Sequence, residues 1–166
     1  TPASIEAFHV AGNRVEALPP QPRPAGLPAM DLVEGAAAIA ERYAAHLADE
    51  SRLSGRAEAL AFPRCEADVA GLLARASAAG TPVTVGSGRT GIVAGAVPDG
   101  GTLVSVERMD ALSVEPFTDN RQPATDNRFV ARCGPGVTLA RLAEELARHA
   151  PSLFLPPNPT ETTAQV

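Results

Sequence analysis

Glycine is concentrated in one stretch of this 166-residue chain, between two runs rich in β-branched residues. The first run spans 83–85, the second spans 102–106, and glycine stands between them at positions 86, 88, 91, 95, 100 and 101. Glycine loses more backbone entropy on folding than any other residue, so this density needs a physical reason. Directly after a strand, the usual reason is a turn whose bare main-chain NH groups point at a phosphate. The spacing therefore predicts an anion-binding loop.

The glycine-rich loop is not a nucleoside-triphosphate P-loop. That motif needs a lysine to reach the outer phosphates, and all fourteen basic residues of the chain are arginines. The absence of lysine also excludes Schiff-base chemistry.

A Rossmann dinucleotide loop stays open as an alternative. Gly86, Gly88 and Gly91 spell G-x-G-x-x-G, and Glu107 follows at about the distance expected for a ribose carboxylate, roughly twenty residues. The motif requires a crossover helix, but Pro98 and interior glycines leave room for two turns at most. This alternative, a nicotinamide-binding module, predicts a regular helix from Gly88 to beyond Val97.

The same loop resembles the pyrophosphate loop of the FAD-linked oxidase family, also called the vanillyl-alcohol oxidase or PCMH-type FAD-binding fold. The residues that carry the resemblance run from Thr90 to Pro98 and read T-G-I-V-A-G-A-V-P. Arg89 and Ala94 stand where that family usually has glycine. Arg89 either adds charge near the phosphates or points to water.

A second segment supports the resemblance. It begins C-G-P-G-V-T at Cys133, continues with a leucine-striped helix, and reaches P-P-N-P at 156–159 before a threonine-rich end. The family usually has Asp where Asn158 stands, and a Gly-Gly pair is expected near the point where this sequence stops, at Val166. The resemblance covers about residue 49 onward.

The resemblance implies an α+β fold, a PCMH-type FAD-binding subdomain with a small, mostly parallel sheet and flanking helices, incomplete at the C-terminus. It implies FAD as the cofactor of a flavin-dependent oxidoreductase that oxidises a small 2-hydroxy acid, of the glycolate or D-lactate type, by hydride transfer. Most substrate-side residues of such proteins lie downstream, so the chain alone is expected to be inactive and to need a partner subunit or a missing C-terminal region. The cofactor-binding residues it implies are Ser87, Gly88, Arg89, Thr90, Gly91, Pro159, Thr160 and Thr163. A non-catalytic fragment or interaction subunit that keeps the fold without the flavin is a further alternative.

Composition narrows the remaining classes. The net charge of −5 argues against a nucleic-acid partner, and no apolar run reaches the length of a membrane span. Cys65 and Cys133 lie far apart without metal-ligand spacing, so we expect no metal site, two reduced and half-buried thiols, and a cytoplasmic protein. His46 is expected to contact solvent or a helix dipole, and Glu107 to lie in a solvated turn.

Three regions position these residues. Residues 1–30 are rich in proline and predict an extended arm, 31–56 predict an N-terminal helical segment, and 57–166 predict the first part of the FAD-binding domain. In the second region the helix is expected to begin near Asp31, a favourable N-cap residue.

The third region predicts a β-α-β unit. A strand at 59–62, a helix at 66–79 ended by Gly80, and a strand at 83–85 place the glycine loop at the carboxyl end of a parallel strand, where open α/β sheets bind ligands. Further strands are expected at 102–106 and 129–132, with a polar surface excursion at 115–127 between them. The last helix is expected to be capped by Thr138.

Overall fold

The fold is taken from a computed structural model that describes residues 7–11, 14–18, 22–116, 129–149 and 163–165. Its first two strands, β1 (Ala7–Ala11) and β2 (Arg14–Leu18), form an antiparallel pair. The region predicted as an extended arm therefore contains a pair of hydrogen-bonded strands.

A four-stranded sheet forms the centre of the molecule. Its strands, in the spatial order β3-β4-β6-β5, are β3 (Asp31–Glu34), β4 (Ala59–Phe62), β6 (Thr102–Ser105) and β5 (Val83–Gly86). Strands β4 and β5 both pair in parallel with β6, whereas β3 pairs antiparallel with β4. The predicted small, mostly parallel sheet is confirmed.

The prediction that a helix begins near Asp31 is wrong. Residues 31–34 form β3, and the helix α1 spans Ala36–Arg42, followed by a 3-10 helix at Ala44–Leu47. Apolar residues continue at helical spacing through this break, which is why the pattern misleads. The edge of β4 offers main-chain partners to 31–34, and Gly35, at φ 98°, separates strand from helix.

The predicted helix between β4 and β5 is confirmed as α2, Glu66–Ala79. Acidic side chains of Glu66 and Asp68 lie in its first turn, where the helix dipole favours negative charge. Gly80 ends it in the left-handed region at φ 63°. Strand β6 lies between β4 and β5, so the two strands that α2 connects are parallel but not adjacent.

A separate two-stranded sheet follows. It consists of β7 (Leu112–Pro116) and β8 (Phe129–Cys133), which pair antiparallel. The excursion predicted at 115–127 is therefore partly strand at its start, and 117–128 lie outside the described residues. The last helix, α3, spans Leu139–His149. Thr138 Oγ1 accepts a hydrogen bond from the Arg141 amide at 3.2 Å, which confirms Thr138 as the predicted cap of this helix.

Hydrophobic packing covers both faces of the central sheet. Successive residues of a strand point to opposite faces, and each face has its own buried cluster. One cluster contains Ile39, Leu47, Leu60, Phe62 and Leu103, and the other contains Ala61, Leu72, Val104 and Val106. The sheet is thereby fixed on both sides, and its parallel strands hold the glycine loop at a defined edge.

In the described ranges, no helix combines the length and apolar character needed to cross a membrane. Over the same residues, no cluster of three or more His, Cys, Asp or Glu side chains could hold a metal ion. Cys65 and Cys133 are free thiols of intermediate exposure, which confirms their prediction as unpaired and half-buried.

Candidate functional site

The glycine loop connects β5 to β6 at the carboxyl ends of these two parallel strands. Gly86, the last residue of β5, pairs with Ser105, the last residue of β6. From Gly88 to Val97 the chain forms bends and a turn but no helix. The helix that a Rossmann module requires at this place is therefore missing, and that alternative is wrong.

The main-chain NH groups of the loop have spare capacity to donate hydrogen bonds. Within the described part of the chain, no NH group from Gly88 to Ala96 donates a hydrogen bond to a protein acceptor. The loop also projects into solvent, since Ile92 and Val93 are 77 % and 83 % exposed. Buried main-chain NH groups almost always have a hydrogen-bond partner. The NH groups of this exposed loop have no protein acceptor, so they are available to donate to water or to a ligand.

Two residues of the loop adopt a conformation that favours glycine. Arg89 has φ 55° and Ala94 has φ 60°. These are the two positions at which the resembled family usually has glycine, and the left-handed conformation costs a residue with a side chain about 1–2 kcal/mol. The loop therefore carries backbone strain at both positions.

The glycines of the loop differ in what surrounds them. A Cβ placed on Gly88 would lie 3.1 Å from the carbonyl oxygen of Thr163 and 3.2 Å from the nitrogen of Gln165. A Cβ on Gly91 would meet Asp49 Oδ2 at an ordinary 3.6 Å, and one on Gly95 would meet nothing within 4 Å. Gly88 thus permits close packing within the chain, whereas the chain itself does not require glycine at Gly91.

Gln165 links the start of the loop to the turn that precedes α3. Its Oε1 accepts a hydrogen bond from Ser87 Oγ at 2.8 Å, and its Nε2 donates to the carbonyl of Gly136 at 3.1 Å. Gln165 also forms a β-bridge with Thr138, and the Leu139 amide donates to Ala164 O at 2.9 Å. Segment 163–165 therefore closes one side of the loop.

The turn at 134–136 packs directly on the backbone that follows β6. A Cβ on Gly134 would lie 2.0 Å from Met109 O, and a Cβ on Gly136 would lie 2.6 Å from Val106 O. Glycine is the residue that allows such close backbone approach. This contact places the 3-10 helix Val106–Arg108 against the turn that precedes α3.

Glu107, in that 3-10 helix, contacts the loop. Its Oε2 lies 3.1 Å from His46 Nε2 and 3.5 Å from Arg89 Nη1. The predictions of a solvated turn for Glu107 and of a solvent or dipole contact for His46 are both wrong. Sequence reasoning missed the contact because His46, Arg89 and Glu107 are distant in the chain and meet only through the sheet.

Asp49 lies beside Gly91. Its Oδ1 accepts a hydrogen bond from the Ser51 amide at 2.9 Å, which forms a local turn. Its Oδ2 is buried and has no partner among the described residues. The loop is thus flanked by a carboxylate oxygen with spare capacity to accept a hydrogen bond.

The structure brings six of the eight candidate cofactor-binding residues together. Five are consecutive in the loop, and Thr163 lies opposite Gly88. Pro159 and Thr160 lie outside the described residues. The structure also places Gln165, Glu107 and Asp49 against the loop. Of these three, Glu107 had a sequence signal, because its distance from the glycine motif suggested a ribose carboxylate.

The sequence matches a known family over most of its length. The profile of the family described as FAD binding domain matches residues 57–165. A D-lactate dehydrogenase of Archaeoglobus fulgidus is 38 % identical over 105 residues, which are 63 % of this chain and 21 % of that protein. The chain therefore spans about a fifth of the length of this relative.

Solved structures share the fold. Aclacinomycin oxidoreductase superposes with a TM-score of 0.59 at 18 % identity, covering 82 % of this chain and 25 % of its own. Chitooligosaccharide oxidase superposes with a TM-score of 0.58 at 21 % identity, covering 82 % and 26 %. The sheet, the loop at its carboxyl edge and the matched profile agree, and the chain belongs to the FAD-binding domain family of the PCMH type, whose cofactor is FAD.

Proposed function

We propose that the loop from Ser87 to Val97 binds the diphosphate of FAD in a flavin-dependent oxidoreductase that oxidises a small 2-hydroxy acid, of the D-lactate or glycolate type. The observation that carries the proposal is the row of main-chain NH groups, Gly88 to Ala96, that have no acceptor within the described part of the chain. The similarity to a D-lactate dehydrogenase supports the substrate class.

The loop fits the chemistry of a diphosphate. A diphosphate is an anion whose oxygens accept hydrogen bonds, and a hydrogen bond from an NH group to a charged acceptor contributes about 1.5–3 kcal/mol. Asp49 Oδ2, at 3.6 Å, is the one described atom outside the neighbouring residues within 4 Å of the position that a Cβ would take at Gly91, so the backbone there can be approached closely. The loop also carries a positive charge, the guanidinium of Arg89. The Arg89 side chain is 28 % exposed and can therefore be reached from solvent.

Each proposed residue has its own task. We assign diphosphate contacts to the main chain of Gly88, Arg89, Thr90 and Gly91. Ser87 has a different task, because its hydroxyl is already used by Gln165 and therefore holds the start of the loop in place. Contacts of Pro159, Thr160 and Thr163 with the cofactor stay proposals.

FAD, when bound, supplies the acceptor for the hydride that leaves the substrate. The chain's own residues bind and orient that cofactor, and the substrate-side residues are assigned to other parts of the protein. Because the chain spans about a fifth of the D-lactate dehydrogenase, the activity of the whole protein, a partner subunit or further C-terminal region, and a cytoplasmic location are parts of the same proposal.

The variant Gly91→Ala tests the proposal. A methyl group at Gly91 makes only an ordinary 3.6 Å contact within the chain, so the fold should be kept, while the approach of a diphosphate to the backbone is obstructed. We expect FAD affinity, measured by quenching of flavin fluorescence, to fall by about tenfold, the equivalent of one lost charge-assisted hydrogen bond.

Gly71→Ala is the matched control, since Gly71 lies in α2, outside the loop, and its methyl group would make only an ordinary 3.5 Å contact with Arg75 Nη1. Thermal unfolding with and without FAD gives a second measure, because a ligand at a hundred times its Kd stabilises the folded state by about 2.7 kcal/mol. A complete wild-type protein that neither retains FAD nor is stabilised by it would refute the proposal and favour a non-catalytic subunit.

A further inference from the structure

Two long contacts hold the guanidinium of Arg89 against the base of the loop. Its Nη1 lies 3.5 Å from Glu107 Oε2 and 3.5 Å from the carbonyl oxygen of Ser87. No described residue of the chain accepts a hydrogen bond from Nε or Nη2 of Arg89. The guanidinium therefore keeps most of its five N–H donors available while one end is fixed.

Glu107 is a rigid support for this arginine. It lies in a 3-10 helix whose first residue, Val106, is buried. Its Oε2 accepts from His46 Nε2 at 3.1 Å, and the His46 side chain is only 15 % exposed. His46 packs edge-on against Phe62, with ring centroids 5.4 Å apart. The His46 ring therefore cannot change its orientation without disturbing this packing.

The second nitrogen of His46 fixes the direction of that hydrogen bond. Nδ1 is buried and has no partner in the described part of the chain. An NH group at Nδ1 would be buried without an acceptor, which costs free energy. The arrangement therefore favours the tautomer with its proton on Nε2, so that His46 donates to Glu107.

We propose that Glu107, oriented by His46, is a positioning residue that holds the Arg89 guanidinium as an additional cationic contact for the FAD diphosphate. The inference rests on the proposed function of the loop and adds a charged contact to its main-chain donors. Arginine suits this task because its planar fork can bind two oxygens of a phosphate group at once. It also gives a reason for a side chain at a position where the backbone favours glycine.

If Glu107 does not position Arg89, neutralising it should change FAD affinity in the opposite direction. If Glu107 were only a negative charge near an anion site, its neutralisation would strengthen FAD binding. If it positions Arg89, its neutralisation weakens FAD binding, although a repulsive charge has been removed. The direction of the effect therefore separates the two roles.

The experiment measures FAD affinity of the purified protein and of the variants R89M, R89K, E107Q and R89M/E107Q. We expect R89M to weaken binding by about tenfold, the loss of one charge-assisted contact. We expect E107Q to weaken it by about threefold, in keeping with a partly exposed ion pair, and R89K to retain part of the affinity. In the R89M background, E107Q should cause no further loss.

Three readings separate a positioning role from a general structural one. Added salt should reduce FAD affinity less in R89M than in the wild type, because one ionic contact is gone. Circular dichroism and the unfolding temperature should stay unchanged in R89M and E107Q. Tighter FAD binding in E107Q, or equal weakening by E107Q with and without Arg89, would overturn the inference. Absence of FAD binding by the wild type itself would refute the proposed function instead.

Discussion

Ser87 Oγ and Gln165 Oε1 are 2.8 Å apart and join residues that are 78 positions apart in the chain. A hydroxyl has one proton to donate, so this short contact takes precedence over the Ser87 Oγ contact to Pro135 O at 3.3 Å. Through Gly136 O, the same glutamine side chain reaches the turn before α3. The amide of Gln165 therefore ties the loop to two other segments at once.

Gln165→Ala should loosen the loop. It removes an acceptor for Ser87 and a donor for Gly136, both partly buried, and each such hydrogen bond contributes about 0.5–1.5 kcal/mol. We expect the free energy of unfolding to fall by about 1–2 kcal/mol and amide hydrogen exchange in the loop to accelerate. The exposed Glu41 of α1 offers a control, since Glu41→Ala should leave stability nearly unchanged and loop exchange unaltered. Unaltered exchange in Gln165→Ala would show that the glutamine does not hold the loop.

Gly88→Ala should destabilise the protein. The added Cβ would lie 3.1 Å from Thr163 O and 3.2 Å from Gln165 N, and these are main-chain atoms that cannot turn aside as a flexible side chain would. Overpacking of this kind costs about 1–3 kcal/mol. Urea denaturation should show this loss in Gly88→Ala and a much smaller change in Gly95→Ala. Equal stabilities of the two variants would contradict the close packing of 163–165 on the loop.

Local sequence signals predicted the elements that local interactions determine. Helix α2 has acids in its first turn and ends at Gly80, so its bounds follow from residues within the helix and next to it. At 31–34, by contrast, hydrogen bonds to β4 override a helical apolar pattern, and one sequence does not display its strand partners. The loop was predictable because its glycines are close together in the sequence, but the Glu107 contact to Arg89 depends on how the sheet brings separate segments together.

Ala94→Gly should stabilise the protein. Ala94 has φ 60°, a left-handed conformation that glycine adopts without the steric cost of a Cβ. The relief of strain exceeds the entropy that glycine gains in the unfolded chain, and we expect a net increase of about 1 kcal/mol in the free energy of unfolding. Ala96 shares the loop but is not among the residues at positive φ, so Ala96→Gly should decrease stability instead. Chemical denaturation of both variants gives the comparison, and the same sign for both would contradict the strained backbone at Ala94.

Arg108 covers a buried ring and anchors the 3-10 helix that carries Glu107. Its guanidinium carbon lies 4.5 Å from the ring centroid of Phe62, which is 1 % exposed, and it forms an ion pair with Asp31. Asp31 also pairs with Arg64 at 3.3 Å. Arg108 thus joins β3, the antiparallel edge strand, to the segment that follows β6.

Arg108→Ala should lower the free energy of unfolding by about 1–2 kcal/mol, because it removes both the cation–π contact and the apolar stem that packs on the ring. Asp31→Asn removes only a pair of partly exposed charges and should cost less than about 1 kcal/mol. Unfolding in low salt and in about 1 M NaCl separates the two contributions, since screening weakens the ion pair but leaves the packing on Phe62. The loss in Arg108→Ala should therefore persist at high salt while the loss in Asp31→Asn disappears, and a loss in Arg108→Ala that also vanished would mean that the ring contact contributes nothing.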